Sequence, residues 1–179
     1  MEVPDERLPV VTFEELAMPL FDQLYNFARW LTHDASEAED LVQETYVKAL
    51  RGFSGFQAGT NFRAWIFRIL RNSFLTSRTG LKATVALDED QSTALASPAP
   101  TPEAILIAQS DRETVRAALA ELAVQHREIL LLCEVEEMSY EEIAQVLGVP
   151  MGTVMSRLHR ARQALRVRLA ARQGGRDGM

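Results

Sequence analysis

One cysteine, Cys133, stands among 179 residues, so no internal disulfide can form. It lies inside "EILLLCEVEE", where a small buried thiol is expected rather than a nucleophile. Histidine is nearly as scarce. His33, His126 and His159 are scattered, and no His/Cys cluster has the spacing of a metal site. There is no glycine-rich phosphate loop. No apolar run reaches the roughly 18 residues a membrane span needs. The opening "MEVPDERLPVV" is acidic and does not read as a secretory signal. These absences point to a cytoplasmic protein with no cofactor, no metal and no membrane insertion.

Charge of one sign is missing from whole stretches. Residues 51–82 contain six bases (Arg51, Arg63, Arg68, Arg71, Arg78, Lys82) and no acid. Residues 83–103 contain Asp88, Glu89, Asp90 and Glu103 and no base. Residues 1–50 carry a net −8, residues 104–138 a net −4, and residues 139–179 a net +4. The overall charge of −6 therefore hides two basic blocks in an acidic chain. Such blocks suggest two surfaces that face polyanions.

No alternating strand pattern competes with the helical one, so the fold class is all-α, with two small helical domains joined by a flexible linker. The first element spans about 12–32, where Leu20, Leu24, Phe27 and Leu31 repeat at helical spacing and Pro19 calls for a kink or new start. A second helix follows Asp34 or Ser36, either of which can cap it. Its Asp40, Glu44, Lys48 and Arg51 line the side away from Ala38, Val42, Tyr46, Ala49 and Leu50. "GFSGFQAGT", with three glycines, is a loop. A third helix over about 61–77 puts Phe62, Trp65, Ile66 and Ile69 on its core side. Phe67, Arg71, Phe74 and Arg78 then share the opposite face with Arg63 beside them. Aromatics interleaved with arginines suit unpaired bases, with rings to stack and guanidinium groups for phosphates. Packing of Phe67 and Phe74 under a neighbouring helix is the equal alternative. Asn61 and Asn72 can donate to base edges, or simply cap and turn the chain.

Residues 80–101 lack periodicity and read as a tether rich in Ala, Ser, Thr and Pro. Thr101-Pro102-Glu103 marks a helix start, and helices follow at about 102–121, 125–137, 140–147 and 151–171. Ser139 with Glu142 makes a capping box. Gly148 supplies a tight turn before the long last helix. A short helix, a glycine turn and a second helix form a helix-turn-helix, whose second helix enters the DNA major groove. Val154, Leu158, Ala161, Leu165 and Leu169 form its apolar stripe. Thr153, Ser156, His159, Arg160 and Gln163 fall opposite, flanked by Arg157, Arg162 and Arg166. Arginine suits phosphates and guanine edges, and the hydroxyls suit phosphates.

Three segments in order, "EAEDLVQETYVKAL", "NFRAWIFRILRN" and "SYEEIAQVLGVPMGTVMSRLHRAR", resemble the bacterial extracytoplasmic-function (group 4) sigma factors of the sigma-70 family. The resemblance covers about 12–80 and 102–171. It implies a region-2 domain over 12–80, an acidic linker over 81–101 and a region-4 domain over 102–171. The implied partners are core RNA polymerase, promoter DNA and an anti-sigma factor. The implied activity is promoter recognition and opening rather than enzymatic chemistry. Asp40, Gln43, Glu44 and Val47 match the surface that docks on core polymerase. Asn61, Arg63, Phe67, Arg71, Asn72, Phe74 and Arg78 match the reader of the −10 element. The helix bearing Thr153, Ser156, Arg157, His159, Arg160 and Gln163 matches the −35 reader. Met155 departs from the commonest pattern, which has Arg or Lys there. "GTVMSRLHR" and "GTNFRAW" resemble a subgroup that responds to thiol-oxidative stress. A stand-alone helix-turn-helix regulator is the alternative function.

Overall fold

The structure is a computed structural model, and it describes residues 10–79 and 112–174. The linker over 81–101 and the helix start at Thr101-Pro102-Glu103 lie outside the described residues, which contain helices and turns but no strand.

Helix α1 (Phe13–Ala17) opens on a capping box. The Thr12 hydroxyl accepts from the Glu15 amide, and the Glu15 carboxylate accepts from the Thr12 amide. A 3₁₀ turn at Met18–Leu20 carries Pro19, which lacks the amide an unbroken helix would need there. Helix α2 (Phe21–Thr32) ends at His33, whose φ of 58° puts it in the left-handed region. Of the two candidate caps for α3 (Ala35–Gly52), Asp34 is the one used, accepting from the Glu37 amide at 2.8 Å. Helix α4 (Phe62–Thr79) begins at Asn61, whose side-chain oxygen accepts from the Ala64 amide at 3.0 Å. The three longer helices pack mutually around Leu24, Phe27, Leu31, Val42, Ile66 and Leu70.

In the second half, α5 (Arg112–Ala120) precedes α6 (Val124–Leu130), which widens into a π turn over Leu131–Val135. An unbroken helix was expected here. Ile129 to Leu132 are all buried, so their pattern has no polar phase that would reveal a change of helical register. Cys133 is half-buried rather than fully buried. Helix α7 (Tyr140–Leu147) has the expected capping box, with the Ser139 amide donating to Glu142 at 2.8 Å. Gly148 closes it at φ 67°, a conformation that a side chain disfavours. Helix α8 (Met151–Gly174) then runs back along α5, α6 and α7.

The two halves touch. Helix α4 packs against α7, and α2 meets α6. One apolar core is continuous across both halves, running from Phe13 to Ala161. That contact corrects the expected core side of α4. Its buried positions are Phe62, Ala64, Ile66, Phe67, Leu70, Ser73 and Phe74, while Trp65 and Ile69 are only half-buried. A helix covered by neighbours on two sides buries more than half its circumference, so periodicity alone placed the stripe off centre.

Candidate nucleic-acid interfaces

The helix-turn-helix is built from α7, Gly148 and α8. Val154, Leu158 and Ala161 are buried and hold α8 against the rest of the second half. Opposite them, His159 and Gln163 are exposed, and Thr153, Ser156, Arg157 and Arg160 are half-buried. The Arg160 guanidinium donates to the Ser156 carbonyl at 3.3 Å and to its hydroxyl at 3.4 Å, which lays it along the helix. Arg162 is tied inward to Glu134 at 2.8 Å. Met155 is 50% exposed and lies one turn before His159, so it shares the outermost face. A thioether cannot hold a phosphate. An apolar side chain in this position can instead meet a thymine methyl group.

The face of α3 that carries Asp40, Gln43, Glu44 and Val47 points outward, one helical turn apart in pairs. Glu44 pairs with Lys48 at 2.6 Å. Val47 and Leu50 are exposed apolar residues on this face, 47% and 56% accessible, so Leu50 stands outside rather than on the core side expected of it. An apolar pair on an exposed helix suits a protein partner better than solvent alone.

Helix α4 differs most from expectation. Phe67 is 0% exposed and Phe74 is 1% exposed. The Phe67 ring lies 5.4 Å from that of Phe27 on α2, inside the same half. Neither ring is available to stack on a base, so both are removed from the −10 contact set and assigned to the core. Each carries an arginine over its ring, Arg63 at 5.7 Å and Arg78 at 5.2 Å. The aromatic–arginine spacing reflects this cation–π packing. Asn72 is exposed, and Arg78 is exposed and paired with Glu37 at 3.0 Å.

Arg63 and Arg71 of α4, with Asn61 at its start, reach the second half of the chain, and Arg63 also donates to Gln23 of α2 at 3.0 Å. Arg71 holds Glu128 of α6 with two bonds, Nε to Oε2 at 2.8 Å and Nη2 to Oε1 at 3.0 Å. Glu128 is 1% exposed. Burial pushes its carboxyl above the ordinary value, opposed by the Arg71 bonds and charge and by Arg157. Arg63 donates to the Glu136 carbonyl at 2.6 Å and to its carboxylate at 3.5 Å. Burial also raises the Glu136 carboxyl, against the pull of Arg63. The Asn61 amide donates to Glu142 at 2.9 Å. Burial pushes the Glu142 carboxyl up, but Asn61, Ser139 and Arg63 together hold it below its ordinary value. On the α2 side, Arg127 reaches the His33 ring at 2.7 Å. None of these cross-half pairs was legible in the sequence, because the partners are separated by 57 to 94 positions.

Residues 16–83 match the family model "Sigma-70 region 2", and residues 112–165 match "Sigma-70, region 4". The chain belongs to the extracytoplasmic-function group of the sigma-70 family. This sigma factor is 40% identical over 167 residues to the ECF RNA polymerase sigma factor SigE of Mycolicibacterium smegmatis, covering 92% of this chain and 64% of that protein. It is 38% identical over 162 residues to the ECF RNA polymerase sigma factor EcfG of Rhodopseudomonas palustris, covering 83% of this chain and 86% of that one. Among solved structures, it resembles the sigma factor RpoE of Bartonella quintana, solved in complex with the anti-sigma factor NepR. The TM-score there is 0.66 and the identity 31%, over 88% of this chain and 96% of that one. CnrH in complex with the cytosolic domain of CnrY gives 0.64 and 27%, over 89% and 88%. Among the described residues, no helix of the sigma factor is long and apolar enough to cross a membrane.

Proposed function

We propose that this sigma factor directs core RNA polymerase to promoters by using three surfaces in sequence. The outer face of α3, with Asp40, Gln43, Glu44 and Val47, docks on core polymerase. Helix α8 reads the −35 element through Thr153, Ser156, Arg157, His159, Arg160 and Gln163. Helix α4 reads and opens the −10 element through Asn61, Arg63, Arg71, Asn72 and Arg78. The domain division is 12–80 for the −10 and polymerase functions and 102–171 for the −35 function, with 81–101 as the tether. The observation that carries this reading is the helix-turn-helix with an exposed polar face, lying within the stretch that matches sigma-70 region 4.

An anti-sigma factor is the proposed regulator, since the sigma factor RpoE, of similar structure, was solved with the anti-sigma factor NepR bound. A groove of about 540 Å³ supports this. Trp30, Val115, Leu131, Val135 and Leu165 line it with apolar surface, and Arg116 and Arg166 add positive charge. It suits an amphipathic helix with acidic flanks. We further place the chain in the thiol-oxidative-stress subgroup, on "GTNFRAW" and "GTVMSRLHR" alone. Any redox sensing then belongs to the anti-sigma partner, because one half-buried cysteine with no second thiol cannot form an internal disulfide.

Run-off transcription with purified core polymerase on a genomic promoter pool tests the function. Defined transcripts that require both the sigma factor and core polymerase are expected. Tight, sequence-specific duplex binding by the chain alone, with no transcripts, would favour a stand-alone regulator instead. Recovery of the same bound partners before and after a thiol oxidant would count against the subgroup assignment.

A further inference from the structure

We propose that Met155 reads a thymine of the −35 element through its 5-methyl group, so that this sigma factor selects promoters with thymine at one fixed −35 position. The inference rests on the reading of α8 as the −35 helix and deepens it. Met151, Met155, His159 and Gln163 follow at four-residue intervals and so form one row along α8. All four are exposed, Met151 to 40% and Met155 to 50%. The row is apolar at the start of the helix and polar from His159 onward. The start of the second helix is where a helix-turn-helix meets base edges. Gly152 stands between the two methionines with open space around it, so no side chain there screens them from the groove. Charge is kept off the row. Arg160 lies along the helix on Ser156, and Arg162 turns inward to Glu134.

A thioether brings no hydrogen-bond donor and only a weak acceptor. Against a guanine or cytosine edge it strips water from O6, N7 or N4 and returns nothing, which costs affinity. Thymine differs, because it alone carries a methyl group into the major groove. Contact between that methyl and Met155 takes apolar surface of both out of water. Methionine suits the task, since its unbranched chain turns about three bonds and fills an irregular gap. Neither methionine is needed inside the chain. The buried core takes Val154, Leu158 and Ala161 from this helix instead. A protein partner on the same apolar surface is the competing occupant, and it leaves DNA binding indifferent to the methyl group.

The test uses holoenzyme assembled from the full chain and core polymerase. The probe is the promoter that gives the strongest run-off transcript, as a fluorescein-labelled duplex read by anisotropy at about 0.1 M salt. Each thymine of its −35 element, on either strand, is replaced in turn by deoxyuridine, which removes the methyl group and keeps the base pair. One replacement should weaken wild-type binding about three- to fivefold, the worth of one buried methyl group. Met155→Ala should weaken binding to the unmodified promoter by a similar factor and abolish the response to that deoxyuridine. Exchanging the same thymine–adenine pair for cytosine–guanine should weaken wild-type binding further. Using 5-methylcytosine there should recover part of the loss with wild type and none with Met155→Ala. Val167→Ala, at another exposed apolar position of α8, should match wild type on every probe. No deoxyuridine effect at any position, or the same effect in wild type and Met155→Ala, overturns the thymine contact. The −35 reading survives that result if scrambling the −35 element still weakens binding. If scrambling changes nothing, α8 is not the −35 reader and both readings fall, as they do if no promoter yields a transcript. If Met155→Ala loses helical circular dichroism, Met155→Gln, of nearly the same length, replaces it, and an unchanged deoxyuridine response in that variant overturns the contact equally.

Discussion

Phe67→Ala separates a core ring from a base-stacking platform. Phe67 is fully buried against Phe27, with Arg63 above its ring. Truncating a ring in such a site costs about 3–5 kcal/mol, from lost transfer energy and the cavity left behind. A protein of this size has roughly 5–15 kcal/mol in all. With about 2–4 °C lost per kcal/mol, the midpoint of thermal unfolding should fall by roughly 6–20 °C. Phe67→Leu keeps most of the apolar volume and should lose less than half as much. An exposed stacking ring would behave differently, since surface substitutions usually stay within about 0.5 kcal/mol. Circular dichroism at 222 nm on the free proteins decides between the two, with no DNA present. A Phe67→Ala midpoint within about 1 °C of wild type would refute the core assignment and return this ring to the −10 contact set.

Four further outcomes are expected. Gly148→Ala should destabilise by about 1–2 kcal/mol in urea unfolding, because φ is 67° there while the space is adequate; Gly152→Ala, inside α8 with open space around it, should instead stabilise by about 0.5–1 kcal/mol. Arg160→Ala should weaken holoenzyme binding to a −35 duplex by about 1–3 kcal/mol and leave opening of a template pre-melted at −10 intact; equal loss on both templates would place Arg160 outside the −35 contact. The His33 imidazole is held below its ordinary value, first by burial and then by the charges of Arg127, Arg78 and Arg29. A base whose folded value is depressed contributes stability that is present above its unfolded value, about 6.5, and lost as pH falls through it toward the folded value. Stability should therefore fall on acidification across that window, and His33→Gln should flatten the fall, as read by urea unfolding at a series of pH values.

The sequence by itself determined the helices, most of their caps and both basic blocks, because these are local matters. A capping box needs residues three apart, a glycine turn needs one position, and an amphipathic stripe needs a few turns. The helix-turn-helix was legible for that reason, as were Pro19, Asp34 and Ser139. The family resemblance rested on segments of the same local kind. Tertiary structure alone decided which way α4 faces and what its arginines hold. Periodicity gives the angular spacing of Phe67, Arg71, Phe74 and Arg78 but not the direction of the core. Here α4 is covered on one side by α2 and α3 and on the other by α7. The rings consequently went inward, and Arg71 and Asn61 went to carboxylates 57 and 81 positions away. A buried ion pair forms only where folding brings both charges out of water together, and no local spacing encodes that meeting.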